Sequence, residues 1–269
     1  MARSQMSIKA IKELFSQPIV DQELLTACQN DGRKGVQTIL RRYRKAQDER
    51  ERLDRLYRYE DLCRRDGFGL IAGTDEAGRG PLAGPVAAAA VILPPHLFLP
   101  RLNDSKKLSP AVRDELFEEI TAQAVAYKIS MVEPREIDRT NILLATQKAM
   151  TEAILGLAIP PQMVITDAMR LPNLPFDQWP IVRGDSKSAS VAAASILAKV
   201  ARDRKMLEYD EKYPAYGFAR HKGYGTKLHL EALQRYGPCP IHRLTFEPIG
   251  SMLTAEKFRR LSTELPIDD

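Results

Sequence analysis

Apolar residues in the first 67 positions recur every three or four residues, which is the spacing of one helical face. Two short runs of this kind precede a longer segment, from about residue 36 to residue 65, that is rich in Arg, Glu and Leu. Asp21 stands where it can cap the second run, and Asp66-Gly67 is a pair that breaks helices. The pattern predicts a helical N-terminal extension, residues 1–67, ahead of a second domain, residues 68–269.

After residue 67, short apolar runs alternate with longer helical patterns. The run at 86–93 is almost entirely Ala, Val, Ile and Leu, which is typical of a strand buried on both faces. Strands are predicted at 68–74, 86–93, 127–132 and 163–166, and helices at 109–124, 141–157, 186–209 and 228–236. A docking helix followed by a tail is expected within 248–269. Strands interleaved with helices predict an α/β fold, a mixed sheet flanked by helices.

Composition places few limits on this picture. The 269 residues are 44% hydrophobic and 28% charged, which allows a chain of this length to bury a core. No apolar run reaches the roughly 18 to 20 residues needed to span a membrane, and the first residues lack the apolar stretch of a secretory signal. Cys28, Cys63 and Cys239 are scattered and odd in number, which favours a reducing compartment. We therefore expect a cytoplasmic protein with no membrane partner.

The net charge of +5 is unevenly distributed. Residues 1–70 hold 15 Lys and Arg against 11 Asp and Glu, so most of the excess lies in the predicted extension. A basic segment beside a nearly neutral domain suggests a polyanionic partner, with Arg41, Arg42, Arg44 and Lys45 as phosphate contacts. A solvated charged helix explains the same residues equally well, and the sequence leaves both interpretations open.

Four acids stand at positions that suit catalysis. Asp75 and Glu76 end the first predicted strand, Asp167 ends a later strand, and Asp185 precedes the long helix. Open α/β sheets place their sites at the carboxyl ends of their strands. Acids that converge there repel one another, and divalent cations remove the repulsion; an all-oxygen ligand set suits Mg²⁺ or Mn²⁺. Two such ions can promote hydrolysis of a phosphodiester.

Each acid also has an ordinary structural interpretation. Asp185 is a good helix N-cap, and taken alone that role is favoured over metal binding. Asp167 equally well opens a turn. The Asp75–Glu76 pair has no obvious structural purpose directly after a buried strand, and it decides in favour of a metal site.

Residues 73–85, GTDEAGRGPLAGP, closely resemble the signature of ribonuclease HII, the bacterial type 2 ribonuclease H. Further segments agree in order and spacing: DSKKL at 104–108, TDAM at 166–169, GDS at 184–186, VAAASILAKVARD at 191–203, YGF at 216–218 and HKGYGT at 221–226. The resemblance extends over about two thirds of the chain, from residue 70 to residue 247. The helical stretch before it is similar to extensions found on some members of the family.

The resemblance implies a ribonuclease H-like fold and assigns the site residues. The implied catalytic and metal-binding set, with Mn²⁺ or Mg²⁺ as cofactor, is Asp75, Glu76, Asp167 and Asp185. The resemblance also implies that the junction between ribonucleotide and deoxynucleotide is recognised by Gly78, Arg79, Gly80 and Tyr224. Implied phosphate-contacting or supporting positions are Lys106 and Lys187. His221 is either a backbone contact or structural, and the other three histidines are expected to be structural.

The resemblance also implies the reaction. The family's endonuclease cuts the RNA strand of RNA–DNA hybrids and cuts on the 5′ side of ribonucleotides embedded in DNA duplexes, leaving a 3′-hydroxyl and a 5′-phosphate. The implied partners are therefore the RNA–DNA hybrid and the ribonucleotide-containing duplex, and the implied roles are ribonucleotide removal and RNA primer removal. A monomer is expected.

Three rival interpretations remain. The sister enzyme ribonuclease HIII lacks the Gly-Arg-Gly found at 78–80 and has a sheet in its N-terminal domain. A transposase-like or resolvase-like nuclease on the same fold would cut DNA without requiring a ribose. A hybrid-binding protein with decayed catalysis would have lost acids that this chain retains.

Overall fold

The computed structural model describes residues 6–17 and 20–253. Packing divides the chain into two compact units, Met1–Arg55 and Leu56–Asp269. The helical break expected at residue 67 does end a helix, but by packing that helix belongs to the second unit.

The first unit is helical, as predicted. It contains α1 (Ile8–Leu14), α2 (Gln22–Gln29) and nearly all of α3 (Lys34–Leu56). Asp21 caps α2 by accepting a hydrogen bond from the Glu23 amide. The apolar faces meet in a small core whose buried members are Ile11, Val20, Leu24, Cys28 and Val36.

The second unit begins with α4 and continues as an α/β domain. Its strands are β1 (Ile71–Ala77), β2 (Val86–Ile92), β3 (Ala126–Val132), β4 (Met163–Asp167) and β5 (Asp177–Ile181). Its helices are α4 (Arg58–Arg65), α5 (Pro110–Gln123), α6 (Pro134–Arg139), α7 (Ile142–Leu155), α8 (Ala189–Lys212), α9 (Phe218–His221), α10 (Lys227–Tyr236) and α11 (Ile249–Met252).

The strands form one mixed sheet in the order β3-β2-β1-β4-β5. β1 and β2 are antiparallel, as are β2 and β3, whereas β4 runs parallel to both β1 and β5. Every residue of β2 is buried, which confirms the interpretation of its unbroken apolar run. The predicted α/β class with a mixed sheet flanked by helices is confirmed.

Two helices cover the sheet and bring the site residues together. α7 packs its small residues against alternate positions of β1 and β2, including Ala72 and Ala90. α8 lies against β1 so closely that a Cβ on Gly73 would overlap the backbone of Ser190. This close approach sets the start of α8 directly beside the strand that carries Asp75 and Glu76.

Some elements differ from the predictions. The long helix begins at Ala189 rather than at residue 186, because Ser188 is its cap. The segment predicted as one helix to residue 65 is interrupted at Tyr57, between α3 and α4. The edge strand β5 was not predicted, since its sequence, DQWPI, has no apolar alternation. The docking helix expected near the C-terminus is the single turn α11 in the described part, and residues 254–269 lie outside it.

In the part of the chain that the structure describes, no helix combines the length and apolar character needed to cross a membrane.

Candidate active site

Two of the acids lie near the carboxyl ends of neighbouring parallel strands. β1 and β4 pair with Thr74 opposite Thr166, so Asp75 and Asp167 occupy the next position of each strand. Side chains alternate along a strand, so Asp75 shares the face of β1 with Gly73, the face against which α8 packs. Asp75 is buried, with 5% of its surface exposed.

Asp185 reaches the same edge from a 3₁₀ turn, Gly184–Ser186, that precedes α8. The Gly184 amide donates a hydrogen bond to Asp167 Oδ1 at 2.8 Å, and a Cβ on Gly184 would meet Asp167 Cα at 3.4 Å. The turn therefore rests on the end of β4. Because Ser188 caps α8, the Asp185 side chain is not used as the helix cap.

The environment of Asp75 opposes its negative charge. Burial raises the pKa of the Asp75 carboxyl well above its usual range, and the nearby carboxylate of Glu76 raises it further. Asp167 and Asp185 act in the same direction, against a hydrogen bond from the Glu76 backbone that lowers the pKa. An ionised carboxylate among three others and shielded from water is a group that a cation would stabilise.

Lys106 supplies one positive charge to this cluster. Its Nζ lies 3.4 Å from Asp185 Oδ2, and its side chain is 79% exposed whereas that of Asp185 is 9% exposed. Burial lowers the pKa of Lys106, but the carboxylates of Asp185, Asp75 and Asp104 outweigh burial and raise it. The pKa of Asp185 is raised by burial and then by Asp104 and Asp167, and Lys106 opposes these effects.

The donor chemistry of this edge fits a hard divalent cation. The side chains offer only oxygen, which suits Mg²⁺ or Mn²⁺, and two of them, Asp75 and Asp185, are buried. As the side chains stand, no three His, Cys, Asp or Glu residues among 6–17 and 20–253 are close enough together to hold an ion. Like charges keep carboxylates apart until a cation lies between them, and Lys106 and Arg79 contact the cluster only through Asp185 and Glu76.

Arg243, which is fully buried, binds the loop that joins β1 to β2, residues 78–85. Arg243 donates hydrogen bonds to the carbonyl oxygens of Gly78 at 2.5 Å, Arg79 at 2.8 Å and Gly84 at 2.9 Å. Because the C=O and N–H of a trans peptide point in opposite directions, the amides of Arg79 and Gly80 point away from Arg243. The loop thereby presents two consecutive backbone donors on its other side.

A second buried arginine, Arg202 of α8, holds the far end of the same loop. It donates to the carbonyl oxygens of Pro85 at 2.9 Å and Ala83 at 3.1 Å. Among the described residues no carboxylate pairs with Arg202 or Arg243, so both guanidinium groups depend on carbonyl acceptors. Burial, followed by the charge of Arg202, lowers the pKa of Arg243 to about 9.

The three residues Gly78, Arg79 and Gly80 occupy different environments. Gly78 has φ of +94°, and a Cβ there would overlap the Arg202 side chain, so only glycine fits. Gly80 is exposed, and a Cβ there would meet only Tyr224, at 3.9 Å from Cε1. Arg79 reaches back to the acids, with its guanidinium 3.3 Å from Glu76 Oε1.

Tyr224 lies on the same side as this loop. The residue is 45% exposed, and the Arg202 guanidinium is 6.0 Å from the centre of its ring. Lys187 is different: it is exposed after the Gly184–Ser186 turn, and within the described residues its side chain makes no hydrogen bond or ion pair. The structure thus places the four acids, Lys106 and Arg79 at one edge of the sheet, with Gly78, Gly80 and Tyr224 beside them, and leaves Lys187 without such a contact.

Comparison with known proteins decides the family. Residues 72–249 match the Ribonuclease HII family, and residues 7–64 match the Ribonuclease HII N-terminal domain. The chain belongs to the ribonuclease HII family. Ribonuclease HII proteins are endonucleases that act on RNA–DNA hybrids, and ribonucleases H use divalent metal ions. The predicted family and enzyme class are therefore confirmed.

Relatives of this ribonuclease HII family member extend over nearly the whole chain. A ribonuclease HII of Desulfitobacterium hafniense is 49% identical over 93% of this chain and 97% of that protein. A ribonuclease HII of Bacillus cereus is 51% identical over 83% of this chain and 88% of that protein. The crystal structure of ribonuclease H2 from Pyrococcus horikoshii superimposes with a TM-score of 0.58 at 30% identity, covering 71% of this chain and 99% of the other.

Sequence reasoning missed several residues that shape this ribonuclease HII site. Asp104, in the DSKKL segment, stands beside Asp185 and raises its pKa. Arg202 lay within a matching block, but its contacts with the loop depend on residues 117 and 119 positions away. Arg243 is further still from Gly78, by 165 positions, and no local pattern marks it.

Proposed function

We propose that this ribonuclease HII cuts the RNA strand of hybrids and also cuts on the 5′ side of ribonucleotides embedded in DNA, by two-metal-ion catalysis. The observation that carries the proposal is the environment of Asp75, a buried carboxylate whose charge is opposed by Glu76, Asp167 and Asp185. Such a cluster is unfavourable by itself and becomes useful when divalent cations neutralise it next to a phosphodiester.

The four acids would hold the ions, and they extend from three supports. Asp75 and Glu76 are held by the end of β1, Asp167 by the end of β4, and Asp185 by the turn that rests on β4. Two Mg²⁺ or Mn²⁺ ions held there would supply activation of a water molecule and stabilisation of the leaving 3′-oxygen, and the products would be a 3′-hydroxyl and a 5′-phosphate. Lys106, beside Asp185, provides a positive charge at the solvent side of the cluster, where a substrate phosphate would approach.

Recognition of the ribonucleotide would use the loop that Arg243 holds. The amides of Arg79 and Gly80 point away from Arg243, and backbone donors beside a small residue can approach a ribose 2′-hydroxyl closely. Tyr224, whose ring is partly exposed beside Gly80, would pack on the neighbouring deoxyribose. Lys187, exposed after the turn that holds Asp185, is proposed as a contact for the substrate backbone.

Cleavage at ribonucleotides within DNA duplexes suits an enzyme whose substrate is cellular DNA. We assign it to the removal of single ribonucleotides from DNA and to the removal of RNA primers, acting as a monomer in the cytoplasm. The ribonucleotide-containing duplex and the RNA–DNA hybrid would be its macromolecular partners.

A DNA duplex with one ribonucleotide provides the test. The enzyme is expected to cut it at one bond, on the 5′ side of the ribonucleotide, in Mg²⁺ or Mn²⁺ and not in chelator, and to leave the all-DNA duplex intact. Mapping both product ends distinguishes this outcome from cleavage on the 3′ side. Cutting of the all-DNA duplex would contradict the proposed specificity, and cleavage by an Asp75→Asn variant at the wild-type rate would contradict the metal site.

A further inference from the structure

Three buried histidines lie together in the second unit, apart from the acids. The exposed fractions of His221, His229 and His242 are 8%, 0% and 2%. The rings of His221 and His229 are stacked with centres 4.5 Å apart, and His229 Nε2 lies 2.9 Å from His242 Nε2. The sequence interpretation treated His229 and His242 as structural, but their hydrogen bonds lead to a residue of the proposed recognition site.

The proton positions of His229 and His242 follow from their partners. His229 Nδ1 lies 3.0 Å from the carbonyl oxygen of Tyr224, which can only accept, so Nδ1 carries the proton and Nε2 is an acceptor. The Cys239 amide donates to His242 Nδ1 at 2.9 Å, so the proton of His242 is on Nε2 and is donated to His229. The result is a continuous chain of three hydrogen bonds, from the Cys239 amide through His242 and His229 to the Tyr224 carbonyl oxygen.

The alternative arrangement for His242 is unfavourable. A proton on Nδ1 would point to the Cys239 carbonyl oxygen at 3.2 Å and would leave the two Nε2 lone pairs facing each other at 2.9 Å. Double protonation of a ring is opposed by burial, which is the main reason that the pKa of His229 is lowered to about 4 and that of His242 to about 3. Both rings are therefore neutral, each in one tautomer.

The hydrogen bonds of this pair end on the backbone of Tyr224, whose other bonds are also local. The Tyr224 amide donates to the carbonyl oxygen of His221 at 2.9 Å, and its carbonyl oxygen also accepts from the Thr226 amide at 2.8 Å. The backbone is thus held from both sides while the ring remains partly exposed. A ring that must stack on one sugar needs a backbone that does not move.

We propose that His229 and His242 form a neutral, tautomer-specific pair that positions Tyr224 for recognition of the nucleotide next to the ribonucleotide. They are positioning residues, since they act through the carbonyl group of Tyr224 and do not touch substrate. The proposal rests on the proposed role of Tyr224. Loss of the bond from His229 Nδ1 should weaken substrate binding more than it slows the chemical step, because the acids that surround Asp75 are not part of the pair.

Two substitutions at His229 separate its two hydrogen bonds. In His229→Asn the amide group takes the place of Nδ1 and can still donate to Tyr224, whereas in His229→Gln it takes the place of Nε2 and contacts only His242. We expect His229→Gln to raise KM for the single-ribonucleotide duplex about tenfold, the effect of one lost hydrogen bond, with kcat changed less than about twofold. His229→Asn should stay close to the wild-type KM.

A double-mutant cycle with Tyr224→Ala shows whether the effect passes through Tyr224. If it does, His229→Gln adds less than about twofold to the KM of Tyr224→Ala. Equal effects of the Gln and Asn variants, or a full additional effect in the Tyr224→Ala background, would overturn the pairing while the role of Tyr224 stands. An unchanged KM in Tyr224→Ala itself would overturn both.

Nitrogen NMR of the wild-type enzyme tests the pair without any substitution. At pH 7 to 8 we expect His229 to carry its proton on Nδ1 and His242 to carry its proton on Nε2. The opposite tautomer at either ring contradicts the proposal even if every variant fails to fold.

Discussion

The carboxylate of Glu60 in α4 accepts hydrogen bonds from both the backbone amide and the hydroxyl of Ser190, at 2.9 Å and 2.7 Å. The same oxygen accepts from the Ser188 hydroxyl at 2.5 Å, and all three residues are buried. Ser188 caps α8, which begins directly after the turn that carries Asp185. Glu60 thus fixes the start of α8 and, through it, the preceding turn that carries Asp185.

Replacing Glu60 is expected to weaken both the fold and the site. Glu60→Ala removes the acceptor of the buried Ser190 amide, whereas the hydroxyls of Ser188 and Ser190 can still bond to each other at 3.1 Å. The lost acceptor should lower the free energy of unfolding by about 1 to 3 kcal/mol. Cleavage should fall as well, because Asp185 loses its fixed position. Urea unfolding and initial cleavage rates measure the two effects. Glu51→Ala, at an exposed position of α3, is the control, and an unchanged urea midpoint for Glu60→Ala would contradict the role.

Asp75→Asn should stabilise the metal-free protein while abolishing cleavage. The raised pKa of Asp75 means that its charge is unfavourable where it lies, so a neutral amide of the same shape should raise the free energy of unfolding in chelator. Manganese should then stabilise the wild type and not the variant. Thermal unfolding with and without metal measures this. Asp177→Asn, on the exposed edge strand, should do neither, and a lower melting temperature for Asp75→Asn in chelator would refute the argument.

Substitution of Gly78 should affect stability, whereas substitution of Gly80 should affect substrate binding. Gly78→Ala forces a side chain into a left-handed position against Arg202 and should lower the free energy of unfolding by about 1 to 3 kcal/mol. Gly80→Ala meets only Tyr224 at ordinary contact distance, so it should unfold like the wild type while raising KM for the ribonucleotide duplex. Gly32→Ala, with open space around it, should leave stability and KM unchanged. A wild-type KM for Gly80→Ala would exclude its backbone from the binding surface.

Stability should fall as the pH is lowered below about 6.5, the ordinary pKa of histidine. The folded state keeps His229 and His242 neutral down to about pH 4 and pH 3, whereas the unfolded chain takes up protons near pH 6.5. The unfolded state therefore binds more protons in this window, and each histidine should remove up to about 1.4 kcal/mol per pH unit. Urea unfolding between pH 5 and 7 tests this, and a His242→Gln variant should show a shallower slope. Equal slopes of stability against pH in the wild type and the variant would mean that burial does not keep His242 neutral in the folded state.

The basic residues of α3 allow a test between the two interpretations of the N-terminal charge. Exposed residues there, to be replaced together by Gln, are Arg41, Arg42, Arg44 and Lys45. If they contact phosphates, the slope of log affinity against log salt should flatten by up to about 4, with the cleavage position unchanged. The control removes four other exposed cations: Lys128, Arg135, Arg139 and Lys148. An unaltered slope would make the charged face of α3 a solvated surface.

The sequence alone was sufficient where the information is local. The unbroken apolar run of β2, the Ser109-Pro110 start of α5 and the Asp21 cap of α2 each depend on neighbours within a few residues, and each was predicted correctly. The Asp75–Glu76 pair after a buried strand was also recognisable without coordinates. β5 escaped prediction because an edge strand is held by its neighbour's backbone and needs no apolar pattern of its own.

Only the tertiary structure decided which residues support the acids and the recognition loop. Arg243 reaches Gly78 across 165 positions, Glu60 reaches Ser190 across 130, and His242 reaches His229 across 13 from a different segment. Such contacts leave no periodic trace, because a buried polar side chain is chosen by the partner it meets in space rather than by its neighbours along the chain. Local patterning determined the helices and strands and placed the acids near strand ends and before α8. Long-range hydrogen bonding determined how the acids and the recognition loop are held.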